Sequence, residues 1–306
     1  MPASCCHTSR RRAFTLIELL VVIAIIATLI GILLPALASA RGSARQAKEL
    51  ASAQQLMIAY SMYADDSDDA LLVGYAARGH VTGRDAPRFD WGEPVGGQSP
   101  DAQGWEMRKR YPWRLAPWFD YDWSGMYDDA ERLAAARLSR DERYGYLVSA
   151  YPSFGVNSYF VGGDAGPDSY TFESSGGRNV QGQRLFGDFF CRRLSCIRRP
   201  DAILAFASAR AHDTSASTGD AHPEGYFKVT PPRFISTQGR LWAEEYDADA
   251  EPGPNSGFVS LRHSGRAITA MLDGHAGAMG WDEIGDMRHW ADQADAPDWS
   301  LTPNLP

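Results

Sequence analysis

An almost uninterrupted apolar run lies close to the N-terminus of the chain. From Leu16 to Leu34 every residue is apolar except Glu18, Thr28 and Gly31. An α-helix rises about 1.5 Å per residue, so this run spans roughly 30 Å, which is the thickness of the hydrocarbon core of a bilayer. The pattern therefore predicts one transmembrane helix close to the N-terminus.

After Pro35 the pattern changes from uniformly apolar to amphipathic. Apolar residues recur at spacings of three and four, with polar residues on the other faces, and the apolar series is Leu50, Ala53, Met57 and Tyr60. This spacing is typical of a helix that buries one face. We predict a single helix over residues 14–63, whose first part, residues 14–35, spans the membrane.

The remainder, residues 64–306, consists of short strand-like runs separated by Gly, Pro and Asn. It predicts a β-rich globular domain with two helical segments, Asp128 to Arg140 and Asp282 to Ala294. An aromatic-rich insertion lies at about residues 81–150, and its rings include Trp91, Trp105, Tyr111, Trp113, Trp118, Tyr121 and Trp123. Such a cluster is more often a buried core or a subunit contact than a sugar-stacking surface.

The composition and net charge of the chain argue against one class of binding partner, nucleic acids. The 306-residue chain has 44% hydrophobic and 22% charged residues and a formal net charge of −8. Arg10, Arg11 and Arg12 precede the apolar run, and without them the net charge falls to −11. A body this acidic repels phosphate backbones, so we predict no nucleic-acid partner. Basic residues before the run keep the N-terminus cytoplasmic and leave the large domain on the other side of the membrane.

Two other kinds of N-terminal segment fit part of this pattern. A cleaved secretory signal is suggested by the small residues Ala38-Ser39-Ala40 and by a faint twin-arginine resemblance. Such signals have apolar regions of about 7–15 residues, shorter than this one. A plain signal anchor has the right length. Neither explains Glu18, because a carboxylate in a membrane helix costs roughly 2.5–3.5 kcal/mol.

The residues from Arg11 to Ile26, RRAFTLIELLVVIAII, closely resemble the N-terminus of type IV prepilins and of type II secretion pseudopilins. In that family, prepilin peptidase removes a short basic leader and the new N-terminal residue is methylated. The resemblance implies that Met1 to Ala13 is the leader and that Phe14 becomes the methylated first residue. The residue before the cut is usually Gly in this family, and here it is the small residue Ala13.

The same resemblance implies a role for Glu18 in filament assembly. Pro35 falls where many family members have a helix-bending proline, and Glu18 becomes the fifth residue of the mature chain. In a filament, this carboxylate meets the N-terminal amine of a neighbouring subunit. Opposite charges about 4 Å apart attract by several kcal/mol in a low-dielectric setting. Only a correctly staggered neighbour supplies that attraction, so Glu18 is expected to set the register between subunits.

A second resemblance lies near the C-terminus, where His263 is followed after nine residues by Asp273-Gly274. This spacing resembles a C-terminal signature of prepilin-like proteins common in planctomycete and verrucomicrobial genomes. Residues 151–159 and 199–204 are similar to the middle segments of that group. Asp-Gly is a favoured two-residue hairpin turn, because both positions accept positive φ. We therefore predict a hairpin that turns at Asp273-Gly274 and is held to the sheet by His263.

Two smaller features have open or simple interpretations. The run Asp65-Asp66-Ser67-Asp68-Asp69 suggests calcium, yet it lacks the Gly and Glu positions of an EF-hand loop, so a solvated turn is the simpler interpretation. Cys191 and Cys196 fit either a disulfide or two free thiols, because sequence spacing does not fix their separation. We predict no metal site.

A membrane-tethered enzyme is the competing class of function. The available acid–base or metal-binding groups are His212, Asp213, His222, His263, Asp273 and His275. None belongs to a recognised motif such as His-Glu-x-x-His, Gly-x-Ser-x-Gly or Cys-x-x-Cys. His263 and His275 could meet across a hairpin, but a structural hydrogen bond is the more common role. We predict no catalytic residue and no cofactor.

Together these features predict a pilin-like or pseudopilin-like structural subunit of a filament. Its fold class is α+β, with a long N-terminal helix packed on an antiparallel β-sheet. The expected partners are prepilin peptidase, other pilin or pseudopilin subunits, and the inner membrane, which the chain crosses once. A membrane-anchored binding module for glycans or surfaces is the alternative function.

Overall fold

The computed structural model describes residues 16–77, 80, 107–127, 138, 140, 144–166, 169–173, 175–211 and 224–304. The chain divides into two compact units, residues 1–45 and residues 46–306. All described residues of the first unit are helical, and the second unit contains the sheet. The helix predicted at residues 128–140 lies almost entirely outside the described residues.

The longest element is helix α1, Leu16–Asp66, which has 51 residues and includes Pro35. It continues past the end predicted at Tyr63. In the first unit its large apolar side chains are exposed. Apolar side chains on the outside of a helix are what a membrane-spanning segment presents to lipid. Within the described residues, α1 is the one helix that is long and apolar enough to cross a membrane.

The described part of the second unit contains a five-stranded sheet in the order β3-β1-β2-β4-β5. Its strands are β1 (Phe154–Asn157), β2 (Leu204–Ser208), β3 (Lys228–Val229), β4 (Arg266–Met271) and β5 (Ala276–Gly280). The sequence of β2, LAFAS, is buried at every position. A continuous apolar run of this kind is typical of a central strand that is covered on both faces.

Short helices surround the sheet. They are α2 (Tyr111–Leu115), α3 (Tyr144–Ala150), α4 (Val180–Phe186), α5 (Pro252–Ser256) and α6 (Trp281–Ile284). Single 3-10 turns lie at Ala116–Phe119, Trp123–Gly125, Leu194–Cys196 and Met287–His289. The predicted α+β class is confirmed.

The sheet is mixed, and one of its pairings departs from the antiparallel sheet that the sequence predicted. Strands β1–β2, β2–β4 and β4–β5 are antiparallel, whereas β1 and β3 are parallel. In that parallel pair Val156 lies opposite Lys228 and Asn157 opposite Val229. A parallel pair needs a long crossover connection, and the chain between β1 and β3 is long enough because it also forms β2.

The sheet separates two hydrophobic cores. The first core lies between α1 and one face of the sheet, where Leu56, Met57 and Tyr60 of the helix are buried. The Tyr60 ring packs edge-on against Phe206 of β2, with 5.5 Å between ring centroids. The second core covers the other face and includes Trp290 and Phe160. The amphipathic half of the helix therefore buries its apolar face as the spacing predicts.

The described part of the aromatic-rich segment belongs to the first core. Tyr111, Trp113 and Trp123 are buried, and the Tyr111 ring lies 5.1 Å from that of Phe206. The Tyr111 hydroxyl donates a hydrogen bond to the Phe154 carbonyl at 2.6 Å. These buried rings are not available to stack on a sugar. Trp91 and Trp105 lie outside the described residues.

The helix predicted over residues 282–294 is wrong in its extent. The structure has only the short helix α6 and, after it, the 3-10 turn Met287–His289. The helix stops because the Met287 amide donates to the Pro297 carbonyl at 3.0 Å, outside the helical pattern. The Asp286 carboxylate then caps the new turn by accepting from the Arg288 amide.

Candidate functional site: the N-terminal helix and its ionic contact with the hairpin

The predicted cleavage and methylation residues, Ala13 and Phe14, lie outside the described residues, which begin at Leu16. Glu18 lies in the first described turn of α1 and is exposed. Its neighbours on the helix, among them Leu19 and Val22, are exposed as well. The described start of the helix therefore presents one carboxylate within an apolar surface.

The polar residues inside the apolar run are accommodated by the helix itself. The Thr28 hydroxyl donates to the Ala24 carbonyl at 2.9 Å, so it does not need a partner from outside the helix. Pro35 lies within α1 and has no N–H, so the hydrogen bond to the carbonyl of Gly31 is missing. Glu18 is thus the one acidic residue of the segment from Leu16 to Leu34.

The C-terminal motif begins at a tight turn that the sequence analysis did not predict. His263 and Arg266 exchange two backbone hydrogen bonds, of 3.2 and 3.1 Å. The two residues between them, Ser264 and Gly265, have φ of +53° and +78°. This is the pattern of a two-residue turn with positive φ at both positions. The turn fixes His263, next to Arg262, just before β4.

Arg262 and His263 clamp one carboxylate of α1, that of Glu49. Arg262 Nε lies 3.0 Å from Glu49 Oε2, and Arg262 Nη2 lies 2.7 Å from Glu49 Oε1. His263 Nε2 is hydrogen-bonded to Glu49 Oε2 as well. The Arg–Glu pair is bidentate, the geometry that gives charged hydrogen bonds their greatest strength. His263 therefore contacts the stem of the helix through a carboxylate.

The clamp is buried and its other hydrogen-bonding groups are also used. The Glu49 side chain is only 5% exposed, and those of Arg262 and His263 are 12% and 10% exposed. Arg262 also donates to the carbonyls of Ala209 and Ser153, at 3.0 and 3.1 Å, and pairs with Glu224 at 2.8 Å. A buried charge is tolerated only when it is paired and hydrogen-bonded in this way.

Asp273-Gly274 lies at the other end of β4, in the turn to β5. The prediction of a two-residue turn here is wrong, because three residues form the loop. The Gly274 amide donates to the Met271 carbonyl and the Met271 amide donates to the His275 carbonyl, both at 2.9 Å. Gly274 has a φ of +96°, whereas Asp273 does not have a positive φ. This hydrogen bonding is typical of a three-residue hairpin loop that ends on a left-handed residue.

The spacing of the motif now has a physical explanation. The nine residues between His263 and Asp273 are the two turn residues, the six residues of β4, and Leu272. The motif thus marks the two ends of one central strand. His263 acts at the end that contacts α1, and Asp273 acts at the end that leads into β5.

The two histidines of this hairpin belong to separate contacts. His275 Nδ1 lies 2.6 Å from Asp273 Oδ1, on the exposed turn. Partial burial opposes ionisation of Asp273, but hydrogen bonds from the backbone and ring of His275 outweigh it and lower the pKa of the carboxyl. His263 instead bonds to Glu49. The pairing of His263 with His275 that the sequence allowed is therefore not formed.

The remaining enzyme candidates give no catalytic arrangement within the part of the chain that the structure describes. His212, Asp213 and His222 lie outside the described residues. Among the described residues, there is no group of three or more His, Cys, Asp or Glu side chains arranged to hold a metal ion.

The acidic run after α1 forms a hydrogen-bonded turn. The Asp69 amide donates to the Ala64 carbonyl at 2.9 Å, and Asp68 and Asp69 both have positive φ. Asp69 Oδ2 accepts from the Ser195 amide at 3.0 Å and from the Ser195 hydroxyl, and these bonds lower the pKa of the carboxyl. Asp66 accepts from the indole of Trp118 at 2.9 Å. These carboxylates serve as acceptors that close the turn.

Cys191 and Cys196 are free thiols, so of the two alternatives the structure contains no disulfide between them. Cys191 is held by backbone hydrogen bonds to Phe160 and Gly162, whereas Cys196 lies in an exposed 3-10 turn. Burial raises the pKa of the Cys191 thiol to about 11.

Three residues of the clamp and its turn escaped the sequence analysis: Glu49, Arg262 and Gly265. One signal was present for Glu49, because residues 49, 53, 56 and 60 share one helical face and the last three are apolar. A second signal was the Ser264-Gly265 dipeptide, which is a turn marker. Nothing local indicated that Glu49 and Arg262, which are 213 positions apart, would meet.

Comparison with known proteins gives one match. Residues 8–34 match the family model described as the prokaryotic N-terminal methylation motif. No curated protein and no solved structure matches the chain. The matched segment contains Phe14 and Glu18, so the chain carries the N-terminal motif of prepilin-like proteins. The apolar helix that begins within this segment fits membrane anchoring.

Proposed function

We propose that the chain is a structural subunit of a type IV pilus or of a type II secretion-type filament. The observation that carries this proposal is the methylation motif at residues 8–34, which includes the exposed apolar start of α1 with Glu18 as the one acidic residue between Leu16 and Leu34. The motif points to a structural protein rather than to an enzyme. The α+β architecture is consistent with a pilin-like fold.

These features indicate how the subunit is processed, inserted into the membrane and assembled. Prepilin peptidase cuts between Ala13 and Phe14, and Phe14 is then methylated. The chain crosses the inner membrane once, with its N-terminus cytoplasmic and its sheet domain in the periplasm. Assembly draws the apolar helix out of the lipid and into contact with the helices of other pilin or pseudopilin subunits. Exposed residues such as Leu20 and Ile26 then become buried, which stabilises the filament.

Glu18 supplies the specificity of that assembly. An uncompensated carboxylate among apolar helices is costly, and a neighbouring N-terminal amine removes most of the cost. A subunit at the wrong stagger leaves the carboxylate without that amine. Register is therefore selected by one ion pair rather than by the apolar surface, which tolerates sliding.

The Glu49 clamp supports the same function from within the second unit. A filament subunit that is held by its helix must transmit force to its globular domain without unfolding. The bidentate Glu49–Arg262 pair connects α1 to the segment that leads into β4. Strand β4 lies inside the sheet, between β2 and β5. The clamp therefore adds a directional contact to the apolar packing of Leu56 and Met57.

Substitution of Glu18 tests the proposal. In cells that contain the peptidase and the assembly machinery, we expect Glu18→Ala to remain in the membrane but to be strongly depleted from sheared or cross-linked filaments. Membrane insertion should even improve slightly, because a charge is removed from the apolar run. Thr28→Ala is the matched control, since its hydroxyl is satisfied inside the helix and its loss should leave assembly unchanged.

Two outcomes would contradict the proposal. If Glu18→Ala entered filaments as well as the unsubstituted chain, the carboxylate would not set the register. If the unsubstituted chain itself never appeared in a filament fraction, the membrane-anchored binding module would become the better interpretation.

A further inference from the structure

A cavity of about 770 Å³ lies beside the end of α1, on the side of the second unit that carries the free cysteines. It is lined by His80 and by residues near positions 70–73, 160–198 and 292–293. Apolar walls come from Phe160, Phe172, Phe189 and Phe190. Its volume is in the range of pockets that bind small molecules.

The charge of this cavity is opposite to that of the chain. Four arginines line it, namely Arg178, Arg192, Arg193 and Arg198, against the two carboxylates of Asp188 and Asp292. The lining therefore has a formal charge of +2, in a chain whose net charge is −8. A concave positive region in an acidic body concentrates anions locally.

Two of the four arginines are already neutralised. Arg198 Nε lies 3.0 Å from Asp292 Oδ2, and Arg178 pairs with Asp188. Arg192 and Arg193 form no ion pair with any residue that the structure describes. The positive charge that has no ion pair is therefore carried by these two adjacent, exposed side chains, of which Arg193 is also attracted at longer range by the Asp69 carboxylate.

Arg178 links the charged and aromatic parts of the lining. Its guanidinium carbon lies 5.4 Å from the centroid of the Phe190 ring, which is the geometry of a cation–π contact. Its Nε is buried and has no hydrogen-bond partner among the described residues. A buried donor without a partner is costly, so the hydrogen-bonding capacity of this guanidinium is not fully used by the described residues.

His80 forms part of the same wall. Its Nδ1 accepts a hydrogen bond from the Ala77 amide at 3.2 Å, which assigns the ring hydrogen to Nε2. Burial, together with the nearby charge of Arg114, lowers the pKa of His80 and outweighs an opposing hydrogen bond with the Gly176 backbone. The ring also packs edge-on against Phe172, with 4.4 Å between centroids.

From these contacts we infer that the cavity binds a ring-bearing carboxylate, such as a uronic sugar or an aromatic acid. The arginines match a planar carboxylate with paired N–H donors, and the phenylalanine edges give an apolar wall against which the ring can lie. The inference does not rest on the filament function. A subunit that failed to assemble would still bind the ligand.

Calorimetric titration of the full chain in a non-ionic detergent tests the inference. The probes are sodium glucuronate and sodium benzoate, each compared with its neutral counterpart, glucose or benzyl alcohol. We expect at least one carboxylate to bind about tenfold or more tightly than its neutral counterpart, as expected for a charged hydrogen bond to arginine. Glucuronate alone would identify an acidic sugar as the ligand, and benzoate alone an aromatic acid.

Charge reversal locates the binding. The double substitution Arg192→Glu and Arg193→Glu should weaken binding about tenfold or more. Arg184→Glu is the matched control, because Arg184 is an exposed arginine on α4 that does not line the cavity. Circular dichroism of each variant verifies folding. Absence of binding by both carboxylates, or equal binding by the reversed and control variants, would overturn the inference.

The cysteines give a second readout that does not depend on any substitution. Cys196 is exposed and lines the cavity, so a bound carboxylate should slow its reaction with iodoacetamide. Peptide mass spectrometry separates this thiol from the others in the chain. If a saturating carboxylate left the alkylation rate of Cys196 unchanged, binding at this cavity would be excluded even where the calorimeter detected heat.

Discussion

Glu49 is the side chain on which the contact between α1 and the hairpin depends most. A carboxylate that is only 5% exposed pays a large desolvation cost. Here that cost is offset by three hydrogen bonds that the carboxylate accepts, two from Arg262 and one from His263. Arg262 in turn depends on Glu49, because the guanidinium is itself nearly buried.

Substitution of Glu49 by glutamine should destabilise the folded domain. Glutamine keeps the size of the side chain but loses the charge that compensates Arg262. We expect the free energy of unfolding to fall by about 2–3 kcal/mol, as measured by urea unfolding of the full chain in detergent with tryptophan fluorescence. Asp65→Asn is the control, since it removes one charge from an exposed position on the same helix. Equal effects of the two substitutions would show that the clamp contributes nothing specific.

The two free thiols should differ sharply in reactivity. Burial raises the pKa of Cys191 from its usual value near 9 to about 11, so its thiolate fraction at pH 8 is about 100-fold lower. Iodoacetamide should therefore modify Cys196 long before Cys191, which peptide mass spectrometry can follow. In urea the difference should disappear. Comparable alkylation rates of the two thiols in the folded chain would contradict the raised pKa of Cys191.

The turn at the end of β4 depends on one glycine. Gly274 has a φ of +96°, and no atom lies within 4 Å of a Cβ added there. Gly274→Ala should therefore cost about 1–2 kcal/mol through backbone strain alone, seen as a lower unfolding midpoint. Gly280→Ala, at the end of β5, has equally open space but a φ of −79°. A loss as large at Gly280 as at Gly274 would argue against the strain explanation.

The elements divide into those that local pattern could predict and those that it could not. Helix α1 was predictable because its apolar run and its amphipathic half both extend over many residues. The position of the turn at Gly274 was predicted correctly, but its length was not. The loop has three residues because the Met271 amide donates to the His275 carbonyl, beyond the Asp-Gly pair. The helix over residues 282–294 failed because Pro297, outside the window, takes the Met287 amide.

At the scale of the whole molecule, the features that the sequence did not predict depend on contacts between residues far apart in the chain. The α+β class followed from the order of helix and strands, yet the parallel β1–β3 pair depends on a crossover that no local pattern encodes. His263 was predicted to hold the hairpin to the sheet, whereas its side chain bonds to Glu49 of α1, a partner that only the three-dimensional fold reveals. The motif spacing alone could not reveal it.

The mass of the N-terminal peptide tests the central claim most directly. The chain is purified from membranes of cells that contain an active prepilin peptidase, and its N-terminus is read by mass spectrometry. The account predicts a mature chain that begins at Phe14 and carries a methyl group on its amine, because the matched motif covers residues 8–34. A chain that begins at Arg41, after Ala38-Ser39-Ala40, or one that retains Met1 to Ala13, would contradict it.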